Sequence, residues 1–184
     1  MRALPVSAIP LLCTLAACAD GARPLATSAA STASAASQTR AAIPASGARP
    51  IKGHCELTFN PPPLPLPPVH RQTDTGTCWF SHLGRTALYG VQDINFAAGT
   101  QSGERRFTAA NGDVLYAVHA GTSAPGGPGL VRFVTTITFV GGTGRFANAT
   151  GRMTGEGTAN LITRTTSVTN EGWITYDASE RSDP

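Results

Sequence analysis

The chain has 184 residues, with 20 Gly, 14 Pro, 14% charged residues and a formal net charge of +3. That length allows one domain, or one domain plus a tail, and excludes large multidomain machinery. The high Gly and Pro content, with few aliphatic helix formers after residue 51, argues against a helical bundle or coiled coil.

The first residues read as an address. Met1-Arg2 is a short positive start, and residues 3–17 are almost wholly apolar. A span of that length falls short of the ~20 residues a bilayer core requires and fits the apolar region of a signal peptide. It ends in Leu15-Ala16-Ala17-Cys18, which resembles the lipobox of bacterial lipoproteins. The resemblance implies cleavage after Ala17 and lipidation of Cys18, so that membrane lipid becomes a partner through several acyl chains. Ala19, in place of an aspartate after the cysteine, points to the outer membrane, facing the periplasm of a bacterial envelope. The competing reading is an ordinary secretory signal that leaves a secreted soluble protein.

Residues 18–50 follow as a linker of Ala, Ser, Thr, Gly and Pro, with Arg23, Arg40 and Arg49 as its dispersed cations. Such a composition buries too little apolar area to offset its ordering entropy, so a spacer is expected and a domain over 51–184. From residue 51 onward, ten Lys plus Arg face ten Asp plus Glu. A formally neutral domain lacks the electrostatic footprint of a nucleic-acid groove.

Of four cysteines, Cys13 leaves with the signal and Cys18 is the lipid site, so Cys55 and Cys78 remain. In an exported, oxidising setting they are expected to pair as a disulfide. The loop between them holds Pro61-Pro62-Pro63-Leu64-Pro65-Leu66-Pro67-Pro68. Such a polyproline run cannot join a sheet interior and reads as a stiff excursion.

Beyond Cys78 the periodicity is two. Val131, Phe133, Thr135, Ile137 and Phe139 fall on one face of a strand, and Asn111-Gly112 is a hairpin turn leading into 113–119. Further runs lie at 52–59, 79–96 (one strand, or two broken near Gly90), 105–109, 152–163 and 167–177. The 18 Gly and 20 Thr of residues 51–184 suit short strands and tight turns. Seven to nine strands in sequential hairpins predict an all-β fold, an antiparallel up-and-down barrel of about eight strands, because an open meander would expose its edges. An immunoglobulin-like sandwich is the rival.

The segment Gly141-Gly142-Thr143-Gly144-Arg145-Phe146-Ala147-Asn148-Ala149-Thr150-Gly151 resembles a hairpin of the allene oxide cyclase and dirigent barrels. The wider pattern, with His82-Leu83-Gly84-Arg85 and Ala110-Asn111-Gly112-Asp113-x-Leu115-Tyr116, resembles exported bacterial β-proteins without assigned activity. The resemblance implies a β-barrel whose end is plugged by Phe146 and Ala149. It concerns a structural corner, so no catalytic residue is carried over from it.

No nucleophile elbow, phosphate-binding loop, dinucleotide fingerprint or metal-ligand spacing occurs, and no cofactor is expected. His54, His70, His82 and His119 are scattered. His82 and His119 could converge across strands, but read as satisfied or exposed histidines. The residues proposed to line a barrel mouth and bind a ligand are Arg85, Tyr89, Tyr116, Arg132, Glu156 and Trp173. Outward, solvated placement is the alternative for all six. Three functions stay open. The first is a module binding a small apolar ligand or an envelope partner; the second is a cyclase- or dirigent-type enzyme; the third is a structural envelope protein.

Overall fold

The computed structural model describes residues 47–177. The expected signal peptide, the Cys18 lipidation site and all but the last residues of the expected linker lie outside the described residues.

Eight strands follow one another: β1 (Arg49–Phe59), β2 (Val69–Phe80), β3 (Gly84–Asn95), β4 (Thr100–Ala109), β5 (Val114–Gly127), β6 (Leu130–Gly142), β7 (Thr150–Asn160) and β8 (Thr165–Thr175). Each pairs antiparallel with its sequence neighbours, and β1 pairs with β8, from Arg49 opposite Ile174 to Thr58 opposite Thr165. The result is a closed up-and-down barrel, as the run of hairpins predicts. Closure gives every strand two partners, which removes the free edges a meander would otherwise expose.

Several strand limits differ from the sequence reading. The 79–96 run is not broken at Gly90: β3 is continuous from Gly84 to Asn95. β2 extends to Phe80, so the 79–96 run is interrupted at the turn 81–83. Most of β2 precedes the point where alternation becomes visible, while β4 begins at Thr100, ahead of the run expected from 105. β1 starts at Arg49, so strand structure reaches two residues into the expected linker. The Pro-rich residues 60–68 form no strand and cross from β1 to β2 as an arm.

Inward positions alternate strictly with outward ones, and the barrel interior has two halves. At one end Ile51, Phe80, Leu83, Phe107, Leu115, Phe139, Phe146, Ala149 and Ile174 form a packed apolar core. The rings of Phe80 and Phe107 meet edge to face, with centroids 5.5 Å apart. The 141–151 segment closes this end. A single 3-10 turn at Gly144–Phe146 drops Phe146 fully into the core, beside a buried Ala149. The turn is tied down by Thr143 N–H donating to the Val114 carbonyl at 2.7 Å and by Val114 N–H donating to Thr143 Oγ1 at 2.9 Å. Gly144, at φ 53° against the Asp113 carboxylate, leaves no space for a side chain.

Cys55 and Cys78 face each other in register across β1 and β2, with Cα atoms 4.0 Å apart, and form a buried disulfide. It closes a loop for which the chain-entropy model gives ~3 kcal/mol. The opposite end of the barrel, bearing the 60–68 arm and the turns after β3, β5 and β7, is the mouth. Its loops are stitched together by Phe96 N–H to the Pro68 carbonyl, Ser123 N–H to the Gly99 carbonyl and Leu161 N–H to the Gly129 carbonyl, at 2.8–2.9 Å.

Candidate functional site

The mouth half of the interior is polar on the side formed by β2 to β5. His70, Gln72 and Asp74 point inward from β2, Gln92 from β3, Gln101 and Arg105 from β4, and His119 from β5, all of them buried. Two cross-strand rows organise them. In the first, Gln72 stands opposite Gln92, Gln92 opposite Gly103, and Gly103 opposite His119. Gly103 has no side chain, so the His119 ring can cross to Gln92: His119 Nε2 lies 3.0 Å from Gln92 Oε1. The amide then fixes the chain of donors. His119 Nε2–H donates to Gln92 Oε1, Gln92 Nε2 donates to Asp74 Oδ2 at 2.8 Å, and Gln72 Nε2 donates to Asp74 Oδ1 at 2.7 Å. This leaves His119 Nδ1 as a buried acceptor without a partner.

In the second row, Asp74 stands opposite Gly90, and Gly90 opposite Arg105. The guanidinium and the carboxylate are two strands apart across an inward glycine. Among the described residues no ion-pair contact joins Asp74 to Arg105, and Arg105 Nε is buried without a hydrogen-bond partner. Arg105 is only 5% exposed.

These groups shape one another's protonation. Burial pushes Asp74 above the usual carboxylate range, opposed by the Arg105 charge and the Gln72 hydrogen bond. Burial pulls Arg105 below its usual value, with Asp74 opposing. His119 is pushed down to about 3, first by burial and then by the Arg105 charge, so it is a neutral imidazole at ordinary pH.

Asp74, Arg105, Gln72, Gln92 and Gln101 line a cavity of about 40 Å³ whose other walls are mostly apolar, among them Leu57, Phe59, Ile94, Phe133 and Pro62 of the arm. That is room for about three water-sized groups, by the ~10–15 Å³ each requires. A wider cleft of about 320 Å³ under Leu66 shares Phe96, Ser123, Val131 and Leu161 with it as a common wall. The arm therefore roofs the mouth, and Pro62 marks the boundary between the polar cavity and the outside. Among the described residues no cluster of three or more His, Cys, Asp or Glu could hold a metal ion.

The ligand-lining residues expected from sequence lie elsewhere. Arg85, Tyr89, Tyr116, Arg132 and Glu156 are exposed on the outer wall, and Trp173 is half-buried there, because their neighbours Thr86, Leu88, Leu115, Phe133, Gly155 and Ile174 take the inward positions. Tyr89 and Tyr116 are brought together, but outside: both stand opposite Arg106, whose guanidinium lies 5.4 Å from the Tyr89 ring centroid. Arg85, Glu156 and Trp173 do not join them. His82 is exposed in the turn after β2, whereas His119 is buried and hydrogen-bonded. Asp74 and Arg105 carry a signal in the sequence after all. Stepping back by twos from Cys78 reaches Asp74, and stepping back by two from Phe107 reaches Arg105.

No family model, no curated protein and no solved structure matches this chain.

Proposed function

We propose that this chain is a lipid-anchored barrel of the bacterial envelope that takes the end of a small, largely apolar ligand through its mouth. The observation that carries the reading is Arg105: a buried guanidinium with an unpartnered Nε, facing the same cavity as Asp74, among walls with a large apolar share. A pocket of mostly apolar walls with a few convergent polar groups is the usual form of a small-molecule site. A ligand oxygen placed between Asp74 and Arg105 would give Nε its missing acceptor. A ligand larger than the inner cavity would need the Pro-rich arm to swing aside. Native mass spectrometry of the protein purified from its own membrane tests this. A small molecule is expected on the unaltered chain and is expected to be lost from Arg105→Met; a bare unaltered chain sinks the reading.

The anchor is supported by the four residues Leu15 to Cys18 and by the Cys55–Cys78 disulfide, which suits an oxidising compartment. Cys18→Ser is expected to release the protein from membranes into the soluble fraction, and continued attachment overturns the anchor.

One observation favours a second reading, a cyclase- or dirigent-type enzyme. Asp74, with its raised proton affinity, is held by two amides and set across from a cation, which is an arrangement able to donate to or polarise a substrate oxygen. The same mass measurement separates the two. A binder returns its ligand unchanged, and an enzyme converts it. A purely structural role fits the packed apolar half but gives no account of the polar half, where buried groups are costly unless used.

A further inference from the structure

The two ends of the barrel differ in surface chemistry. The mouth loops, residues 60–68, 96–99, 128–129 and 161–164, contain one charged residue, Arg164. They display aliphatic tips instead: Leu64 is 89% exposed, Ile162 76% and Leu66 48%. The closed end carries Arg49, His82, Asp113, Arg145 and Asp177 in its turns and strand ends. Exposed leucines at the tip of a Pro-rich arm are held out by a backbone with little conformational freedom left to lose. Leu64 and Leu66 stand on the arm and Ile162 on the turn after β7, on two loops that flank the mouth.

We infer that the mouth end of this barrel docks onto a lipid bilayer, with Leu64, Leu66 and Ile162 entering the acyl boundary. Aliphatic tips on loops that hold no acidic residue, with Arg164 as the one charge of those loops and the mutually neutralised Arg71–Asp93 pair on the wall behind them, match an apolar boundary beneath a headgroup layer. The chain preceding the barrel is long enough to allow it. Thirty residues separate Cys18 from Arg49, a number that can reach at most ~100 Å. The barrel is shorter than that, since an 11-residue strand at ~3.3 Å per residue, tilted by ~40°, rises roughly 28 Å. Resting on the proposed Cys18 anchor, that number of residues allows the mouth to face the same membrane. The cleft under Leu66 would then open at the lipid surface, so that an apolar ligand need not cross water to reach it.

The only two tryptophans, Trp79 and Trp173, lie toward the closed end, near the ends of β2 and β8, and serve as internal controls. The test uses the full chain bound to phosphatidylethanolamine and phosphatidylglycerol vesicles with brominated acyl chains. The native tryptophans are expected to keep their emission. The emission added by Leu64→Trp is expected to shift to the blue and to lose most of its intensity. An added tryptophan that stays bright on vesicle-bound protein overturns the docking while leaving the anchor intact. Protein that does not sediment with vesicles overturns both. A blue shift before any vesicle is added, growing with protein concentration, overturns it in favour of a second copy of the chain. Because Leu64 is exposed, the substitution leaves the core untouched, and retention of the Cys55–Cys78 disulfide verifies the fold. The ligand reading is separate, since Arg105→Met acts on bound small molecules and not on the vesicle signal.

Discussion

Asp74 and Arg105 occupy one cross-strand row of the barrel interior, on β2 and β4, with Gly90 of β3 standing between them. The pair is close enough to share a field and far enough apart to leave the gap that the cavity occupies. A side chain at the middle position would fill that gap, so the glycine and the two charges act as one unit.

Removing one member of the pair leaves the other buried without its countercharge. Asp74→Asn and Arg105→Met are each expected to lower stability by about 1–2 kcal/mol. That is less than for a pair in direct contact, since the two charges interact across the gap without an ion-pair contact. The double variant is expected to recover much of that loss. Urea denaturation of the two single variants and the double variant gives the coupling, and strictly additive losses would show that the two residues do not sense each other.

His119 makes stability depend on acidity. Its folded value of about 3 lies below the ordinary 6.5, so below pH 6.5 the unfolded chain takes up a proton that the native barrel refuses. Stability from this residue is fully present above pH 6.5 and is lost as pH falls toward 3, by up to about 1.4 kcal/mol per pH unit. Asp74 acts in the opposite sense. Its raised value means that the folded state binds the proton more readily, so its contribution is greatest below the ordinary 3.8 and is lost as pH rises through the folded value. Urea midpoints between pH 7 and pH 4 are expected to fall less steeply for His119→Gln than for the unaltered chain. Parallel curves would refute this.

The two interior glycines of the polar rows are expected to respond differently to alanine. A Cβ at Gly90 would meet its nearest neighbours, Arg105 Cγ and the Glu104 carbonyl, at 3.4 Å, which is ordinary contact. A Cβ at Gly103 would lie 2.2 Å from the Val91 carbonyl oxygen, which is backbone and cannot step aside. Gly90→Ala is expected to leave the melting temperature nearly unchanged, whereas Gly103→Ala costs about 2 kcal/mol or more through overpacking. Equal melting temperatures for the two would contradict the packing argument.

At the closed end, Phe146→Ala removes a fully buried ring from the plug. A loss of about 3–5 kcal/mol is expected, read from the denaturant midpoint. The mouth lies at the other end, so occupancy by any co-purified ligand should not change in the fraction that remains folded.

The barrel was legible where its interior is apolar. Val131 to Phe139 alternates cleanly because Phe133, Ile137 and Phe139 all face the core, and the Cys55–Cys78 pairing followed from counting the cysteines left once Cys13 and Cys18 are read as signal and lipid site. The strands that build the site were harder to see for a physical reason. β2 turns His70, Gln72, Asp74 and Gly76 inward, and β4 turns Gln101, Gly103 and Arg105 inward, so neither shows hydrophobic alternation over its mouth half. Hydrophobic periodicity vanishes where an interior is polar. Aromatic residues misled in the converse way. Tyr89 and Tyr116 look like pocket walls by type, but their strand neighbours Leu88, Leu115 and Ala117 claim the inside.

The cysteine bridge also fixes how the barrel bears load. Any pull arriving through the residues before Arg49 runs along β1, whose rungs to β8 and β2 are then strained in shear and share the force. Only the stretch from Arg49 to His54 can slide or peel away, because at Cys55 the strand is covalently fastened to β2. The bond thus acts as a mechanical stop. It lets the first turn of strand yield as a short spring while the mouth half, with its row of Asp74, Gly90 and Arg105, keeps its geometry under tension.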